Sequence, residues 1–328
     1  MSPFTHTRRA LARAGVLAAL ATSLALVVPL AAQAAAPAVT TGGVTKLSPQ
    51  NASLSGTVNA KGKATVFFFQ IGPTKAYGLN TPEASAGSAS SNRTVTANLI
   101  GLRPATTYHY RVVGRNADGT TVGADKSFKT KNQPLGFTLE ATPNPVDFGE
   151  PVTLQGVLSG TGNAGRQVAL QRNEFPFTVG FQTLGNPQVT GATGAFAFPL
   201  LSVTSNAQYR TVTTAGTKVL SSVVTLGVAV KVSTKVGARS VKRGHRIRFS
   251  GKITPSKVGA LYAIQRQDSK GNWKVVAGSV SHAGGSTYST FNTKARIRKS
   301  GLYRVYVGVT DGYQVSGVGS SKKISIKR

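Results

Sequence analysis

The sequence predicts an all-β chain of three tandem β-sandwiches behind a cleavable leader. Two observations predict the fold class. Helix signals nearly vanish after residue 36, and short apolar/polar alternation replaces them, broken by Gly, Asn, Ser and Thr at intervals of about eight to twelve residues. In addition, two stretches of the chain repeat each other at a spacing of 94 or 95 residues. A length of 328 residues has room for such units.

The leader comes first. Arg8, Arg9 and Arg13 precede an apolar run from Ala14 to Ala32, and Ala32-Gln33-Ala34 supplies the small residues a signal peptidase needs. The pattern predicts a signal peptide over 1–34. It also predicts a secreted, extracellular chain, free or associated with the cell envelope. No later apolar run is long enough to span a bilayer, so the mature chain is expected to lack a transmembrane segment.

The three units are read as 40–131, 136–227 and 228–328. In the first, Ala52, Leu54, Gly56 and Val58 alternate with Ser53, Ser55 and Thr57, and Phe67, Phe69 and Ile71 form a second inward row. Leu102, Pro104, Thr106, Tyr108, Tyr110 and Val112 then fall on one period-2 series. At these residues the unit resembles a fibronectin type III domain, whose next-to-last strand carries a Leu-x-Pro-x-Thr-x-Tyr pattern. The resemblance implies a closing hairpin through Asn116-Ala117-Asp118-Gly119 into Ser127-Phe128-Lys129-Thr130. It also implies that Tyr108 is a corner tyrosine, with its ring in the core and its hydroxyl bonded to nearby backbone. The early-strand Trp of that family is missing, and Leu54 stands in its place.

In the second and third units, Gly149-Glu150-Pro151-Val152-Thr153-Leu154-Gln155-Gly156 matches Gly244-His245-Arg246-Ile247-Arg248-Phe249-Ser250-Gly251. Val168 to Arg172 matches Tyr262 to Arg266, and Tyr209-Arg210 matches Tyr303-Arg304. These units resemble bacterial immunoglobulin-like sandwiches.

Composition argues against an enzyme. The chain has no cysteine, four histidines and only nine acids. His109, His245 and His282 fall at no metal-ligand spacing, so neither a transition-metal site nor a cofactor is expected. Asn116, Asp118 and Asp125 have the residue types of a calcium loop, and a Gly-containing hairpin accounts for them more simply. No two acids lie on strands expected to face each other, as glycoside hydrolysis requires, and no Gly-x-Ser-x-Gly elbow or phosphate loop occurs.

The net charge of +30 is distributed unevenly. Residues 35–135 carry 11 basic and 3 acidic side chains, residues 136–227 carry 4 and 4, and residues 228–328 carry 21 and 2. In the third unit Ile247, Phe249 and Ile253 share one strand face, while Arg246, Arg248 and Lys252 share the other. Lys294, Arg296 and Arg298 repeat the pattern. In an immunoglobulin-like sandwich these segments are neighbouring strands, which predicts a six-cation platform. Its expected partner is an anionic envelope polymer or other polyanion; the alternative is a solvated basic face with no specific ligand. The outward rows contain no aromatic, so specific nucleic-acid recognition is not expected.

A second candidate patch is Phe175, Phe177 and Phe181, which either contacts a protein or glycan ligand or packs over the sheet edge; packing is the expectation. Trp273, roughly aligned with Phe181, is expected to be partly buried. The sequence thus points to a secreted, non-catalytic binding or structural protein of the cell wall or of adhesion. The alternative is a glycan-binding accessory of polysaccharide degradation.

Overall fold

A computed structural model describes residues 35–327, so the signal-peptide expectation for 1–34 lies outside the described residues. The described residues are strands and connecting turns without a helix. They divide into two compact units. One comprises the described residues up to Gly43, Ser55–Ala97 and Tyr110–Lys126; the other comprises Val44–Leu54, Asn98–His109 and everything from Ser127 onward. The architecture is a succession of mostly antiparallel β-sheets, and the described chain is all-β as its periodicity predicts.

In the first sandwich Ala38–Thr45, Ala52–Asn59 and Asn92–Leu99 form one sheet in that order. The other is built around Thr65–Gly72 and Thr107–Asn116. Leu54, Phe69 and Val112 are wholly buried. The Tyr108 hydroxyl accepts a 3.0 Å bond from the Arg103 N–H, and its ring stacks on Phe128 at 5.8 Å.

The second sandwich pairs Val152–Ser159 with Glu140–Thr142 and Ala195–Leu200 in one sheet. Its other sheet runs Gln182–Val189, Gln167–Glu174, Ala207–Thr213, Val224–Leu226. The third repeats the plan. Lys231–Val236, Arg246–Thr254, Ser289–Arg296 and His282–Ala283 form one sheet in that order, and Leu261–Gln267 lies between Trp273–Val280 and Gly301–Val307 in the other. Leu154, Leu170, Tyr209 and Leu226 fill the second core, and Phe249, Ile264, Phe291 and Tyr303 the third.

The matched glycines have a steric cause. Gly149 and Gly244 turn with φ of 79° and 83°, a region that side chains disfavour. Gly156 and Gly251 lie opposite Phe196 and Phe291 in the strand register. A Cβ there would sit 2.0 Å from the Thr138 carbonyl oxygen or 1.8 Å from that of Ser233. Only glycine lets the first strand of each sheet approach while the facing phenylalanine fills the core.

The second and third sandwiches meet in a hydrogen-bonded joint. Asn206 Nδ2 donates across it to the Gly312 carbonyl at 2.8 Å, while its Oδ1 accepts at 2.7 Å from the N–H of Val228, which the structure places in the second core rather than at the start of the third unit. The Asn206 N–H donates to the Tyr313 carbonyl, and Gln314 Nε2 to that of Thr204, both at 2.7 Å. Phe175 packs edge-on against Tyr313, with centroids 4.9 Å apart. Lys231 pairs with Glu150 across the same joint. Two short parallel pairings frame the sandwiches, Val146–Asp147 with Val228–Ala229 and Ser240–Val241 with Ser325–Ile326.

Asn206→Ala leaves the Val228 N–H and the Gly312 carbonyl without these partners and is expected to cost about 2 kcal/mol. Urea denaturation would measure the loss, with faster amide exchange at Val228 locating it. Asp311 anchors the Tyr313 loop. Burial opposes its ionisation, but the bonds from Lys257 and from the Gln314 and Tyr313 N–H groups outweigh that and hold its carboxyl below the ordinary value. A depressed folded pKa contributes stability that is complete above the unfolded value of about 3.9 and is lost as pH falls through the folded one. Asp311→Asn should therefore lower the urea midpoint at pH 7 and narrow its difference from wild type in acid.

Candidate functional site

The outer face of the sheet made by Lys231–Val236, Arg246–Thr254 and Ser289–Arg296 gathers the predicted cations. Each apolar neighbour turns inward: Ile247, Phe249, Ile253, Ala295 and Ile297 are buried, whereas Arg246, Arg248, Lys252, Lys294, Arg296 and Arg298 are exposed. The register sets Arg246 directly opposite Arg296, and Arg248 directly opposite Lys294. Lys252 faces Thr290, and its ammonium lies 4.0 Å from the centre of the Tyr288 ring.

Two differences from the sequence expectation follow from chain path. The strand ends at Arg296, so Arg298 sits on the turn beyond it rather than in the row. The face also adjoins one aromatic, Tyr288, which the outward rows themselves do not carry. Sequence reasoning missed Lys235. The register sets it opposite Ser250, which adds this exposed cation to the face beside Arg248. Only the strand register carries that information.

Among the described residues no acid pairs with any of these cations. The two acids of residues 228–327 are spent elsewhere: Asp311 binds Lys257, and Asp268 Oδ1 accepts 2.9 Å bonds from the Lys270 and Asn272 N–H groups of its own turn. The second sandwich supplies an internal comparison. Equivalent registers set Gly156 against Phe196 and Gly251 against Phe291, and Gly149 and Gly244 donate to the carbonyls of Val203 and Ile297. The six cations then correspond to Pro151, Thr153, Val157, Pro199, Leu201 and Thr204, none of them charged. The fold builds this sheet without charge at these six positions.

The phenylalanine candidates do not form one open patch. Phe175 is seated against Tyr313, Phe177 meets Phe175 edge-on at 5.4 Å, and Phe181 lies under Arg210 at 4.0 Å; all three are half-buried. Phe181 belongs to a device that occurs three times. Arg111, Arg210 and Arg304 each donate through Nε to a glutamine side chain, Gln70, Gln171 and Gln265, at 2.7, 2.8 and 2.8 Å. Each guanidinium also covers an aromatic ring: Tyr77 at 4.6 Å, Phe181 at 4.0 Å and Trp273 at 4.0 Å. Trp273, half-buried in this way, is part of a clamp. A Tyr-Arg dipeptide at each of the three places was the available signal.

Acidic groups are dispersed among structural partners. Glu83 binds Arg115, Glu174 binds Arg172, and Glu140 accepts from Gln155. Asp118 binds Lys63 at 2.6 Å while Asp125 accepts from the Tyr77 hydroxyl at 2.9 Å, so the calcium-loop residues serve separate contacts. His109 is half-buried, and His245 and His282 are exposed. Among the described residues no group of three or more His, Cys, Asp or Glu could hold a metal ion.

No family model and no curated protein matches the chain. Among solved structures it is similar to a tetra-tandem repeat from the extending region of a large adhesion protein, at 15% identity over 88% of this chain and 74% of that one, with a TM-score of 0.27. It is similar to three consecutive domains of titin at 14% identity over 88% and 99%, with a TM-score of 0.36. A third likeness is to three fibronectin domains of chicken CNTN1, at 12% identity over 87% and 97%, with a TM-score of 0.29.

Opposed like charges weaken a sheet by up to several tenths of a kcal/mol per pair. Arg248→Thr, which installs the residue of the second sandwich, is therefore expected to raise thermal stability at low salt. The gain should shrink at ~1 M salt, where charges are screened within about 3 Å; melting temperatures at both salt concentrations check this.

Proposed function

We propose that this chain is a secreted, non-catalytic binding or structural protein that holds anionic cell-envelope polymers on the basic outer face of its third sandwich. The supporting observation is the register itself. It sets Arg246 against Arg296 and Arg248 against Lys294 on a face with no acid partner among the described residues, whereas the same positions in the second sandwich are neutral. Folding does not ask for those charges, and their mutual repulsion opposes it. A polyanion laid along the strands relieves the repulsion.

Side chains on such a face repeat at about 4.8 Å between strands and about 6.8 Å along a strand, where every second residue points outward. A flexible polymer with closely spaced phosphate, carboxylate or sulfate groups therefore meets several cations at once. Binding of this kind releases counterions and falls steeply with salt. The other two sandwiches then serve as spacers or presenting domains.

The test is binding of the chain from residue 35 onward to purified cell envelope and to heparin across a salt series. Arg248→Ser, Lys294→Ser and Arg296→Ser combined should weaken binding and lower the slope of log affinity against log salt by about three, near one unit for each cation removed. A matched control, Lys75→Ser, Lys126→Ser and Lys129→Ser, removes the same charge elsewhere. Equal losses in the two triple variants, or no binding at low salt, would overturn the reading.

A further inference from the structure

We propose that the third sandwich also contains a discrete oxyanion pocket at the end of the basic face, one that seats a terminal phosphate monoester. The inference rests on the polyanion reading and narrows its ligand to polymers that carry phosphate. A cavity of about 420 Å³ is lined by Arg266, Val276, Arg296, Arg298, Lys299 and Tyr303. Its four cations come from different places in the fold. Arg266 belongs to Leu261–Gln267 in one sheet, Arg296 ends Ser289–Arg296 in the other, and Arg298 and Lys299 occupy the turn that leads to Gly301–Val307.

The turn is held from both sides. Tyr303, 1% exposed, donates its hydroxyl proton to the Lys299 carbonyl at 2.7 Å. The buried Ile297 donates its N–H to the His245 carbonyl at 2.9 Å. Arg266 Nη1 donates to the Gln267 carbonyl at 2.9 Å, which orients the guanidinium and leaves its other N–H groups available.

The comparison with the second sandwich gives the pocket its meaning. Arg172 holds the place of Arg266 there, and its guanidinium is neutralised by Glu174 at 3.0 Å. In the third sandwich the corresponding acid, Asp268, is turned into its own loop by the Lys270 and Asn272 N–H groups. Leu201, Thr204 and Ser205 meanwhile give way to Arg296, Arg298 and Lys299. One acid is withdrawn and three cations are added around the same spot. Guanidinium forks match the paired oxygens of a tetrahedral oxyanion, and a fourfold positive surround favours a dianion over a carboxylate.

Isothermal titration of the chain from residue 35 onward with inorganic phosphate, sulfate and acetate at matched ionic strength tests the pocket. One saturable oxyanion site is expected, with phosphate and sulfate both tighter than acetate. Arg266→Gln and Arg298→Ser should each weaken it about tenfold, as loss of a charge-assisted bond does, while Arg248→Ser leaves it unchanged. Arg298 is exposed on its turn, so that variant keeps the test decisive should Arg266→Gln fail to fold. The absence of saturation, equal affinity for acetate, or equal weakening by Arg248→Ser would overturn the pocket. Heparin binding in the same samples separates the two readings. Phosphate saturation without polymer binding removes the face and keeps the pocket, whereas polymer binding weakened by Arg248→Ser without any phosphate site does the reverse.

Discussion

Each sandwich is organised around one strand that carries a buried tyrosine followed at once by an outward arginine. Tyr110, Tyr209 and Tyr303 are among the largest fully buried side chains, and Arg111, Arg210 and Arg304 occupy the next position on the opposite face. Alternation along a strand makes this a single constraint with two consequences. The tyrosine fixes the strand in the core, and the arginine ties it to the neighbouring strand through a glutamine and an aromatic ring. In the second and third sandwiches that glutamine is also the residue directly opposite in register, Gln171 to Arg210 and Gln265 to Arg304. A register slip of one residue would bury the arginine and expose the tyrosine, so the clamp excludes the alternative pairings of a Gly-rich, Ser- and Thr-rich sequence.

With the scaffold specified there, the outer face of the other sheet is free to vary. The second and third sandwiches use that freedom oppositely. Thr153 and Pro199 face each other in one, and Arg248 and Lys294 in the other. The core and the matched glycines are the same in kind, so the charged face is an addition to a plan that folds without it. Lys252 shows the limit of that addition, because its ammonium already rests on Tyr288.

Much of this was legible in the sequence because it is periodic. The inward rows Ala52 to Val58 and Ile247 to Ile253 follow from alternation, and the positions of Gly156 and Gly251 follow from the repeat. Side-by-side placement of the two cationic segments came from the immunoglobulin-like resemblance, and the strand pairing supplies the register that the resemblance could not. Lys235, the cavity around Arg266, and the seating of Phe175 on Tyr313 were not legible. Each depends on which residues from distant strands or turns meet, and no local pattern encodes that. Arg298 shows the same limit at short range: alternation continues through Ile297, but the strand stops at Arg296.

The short parallel pairings have a mechanical consequence. Val146–Asp147 lies beside Val228–Ala229, and Ser240–Val241 beside Ser325–Ile326, so an early and a late segment of the second and of the third sandwich run in the same direction. Tension applied at the two ends of a sandwich pulls such segments past each other along their length. Their hydrogen bonds are then loaded in shear and must yield together, whereas an antiparallel hairpin peels one bond at a time. Load entering either sandwich along the chain thus meets terminal segments arranged to resist it.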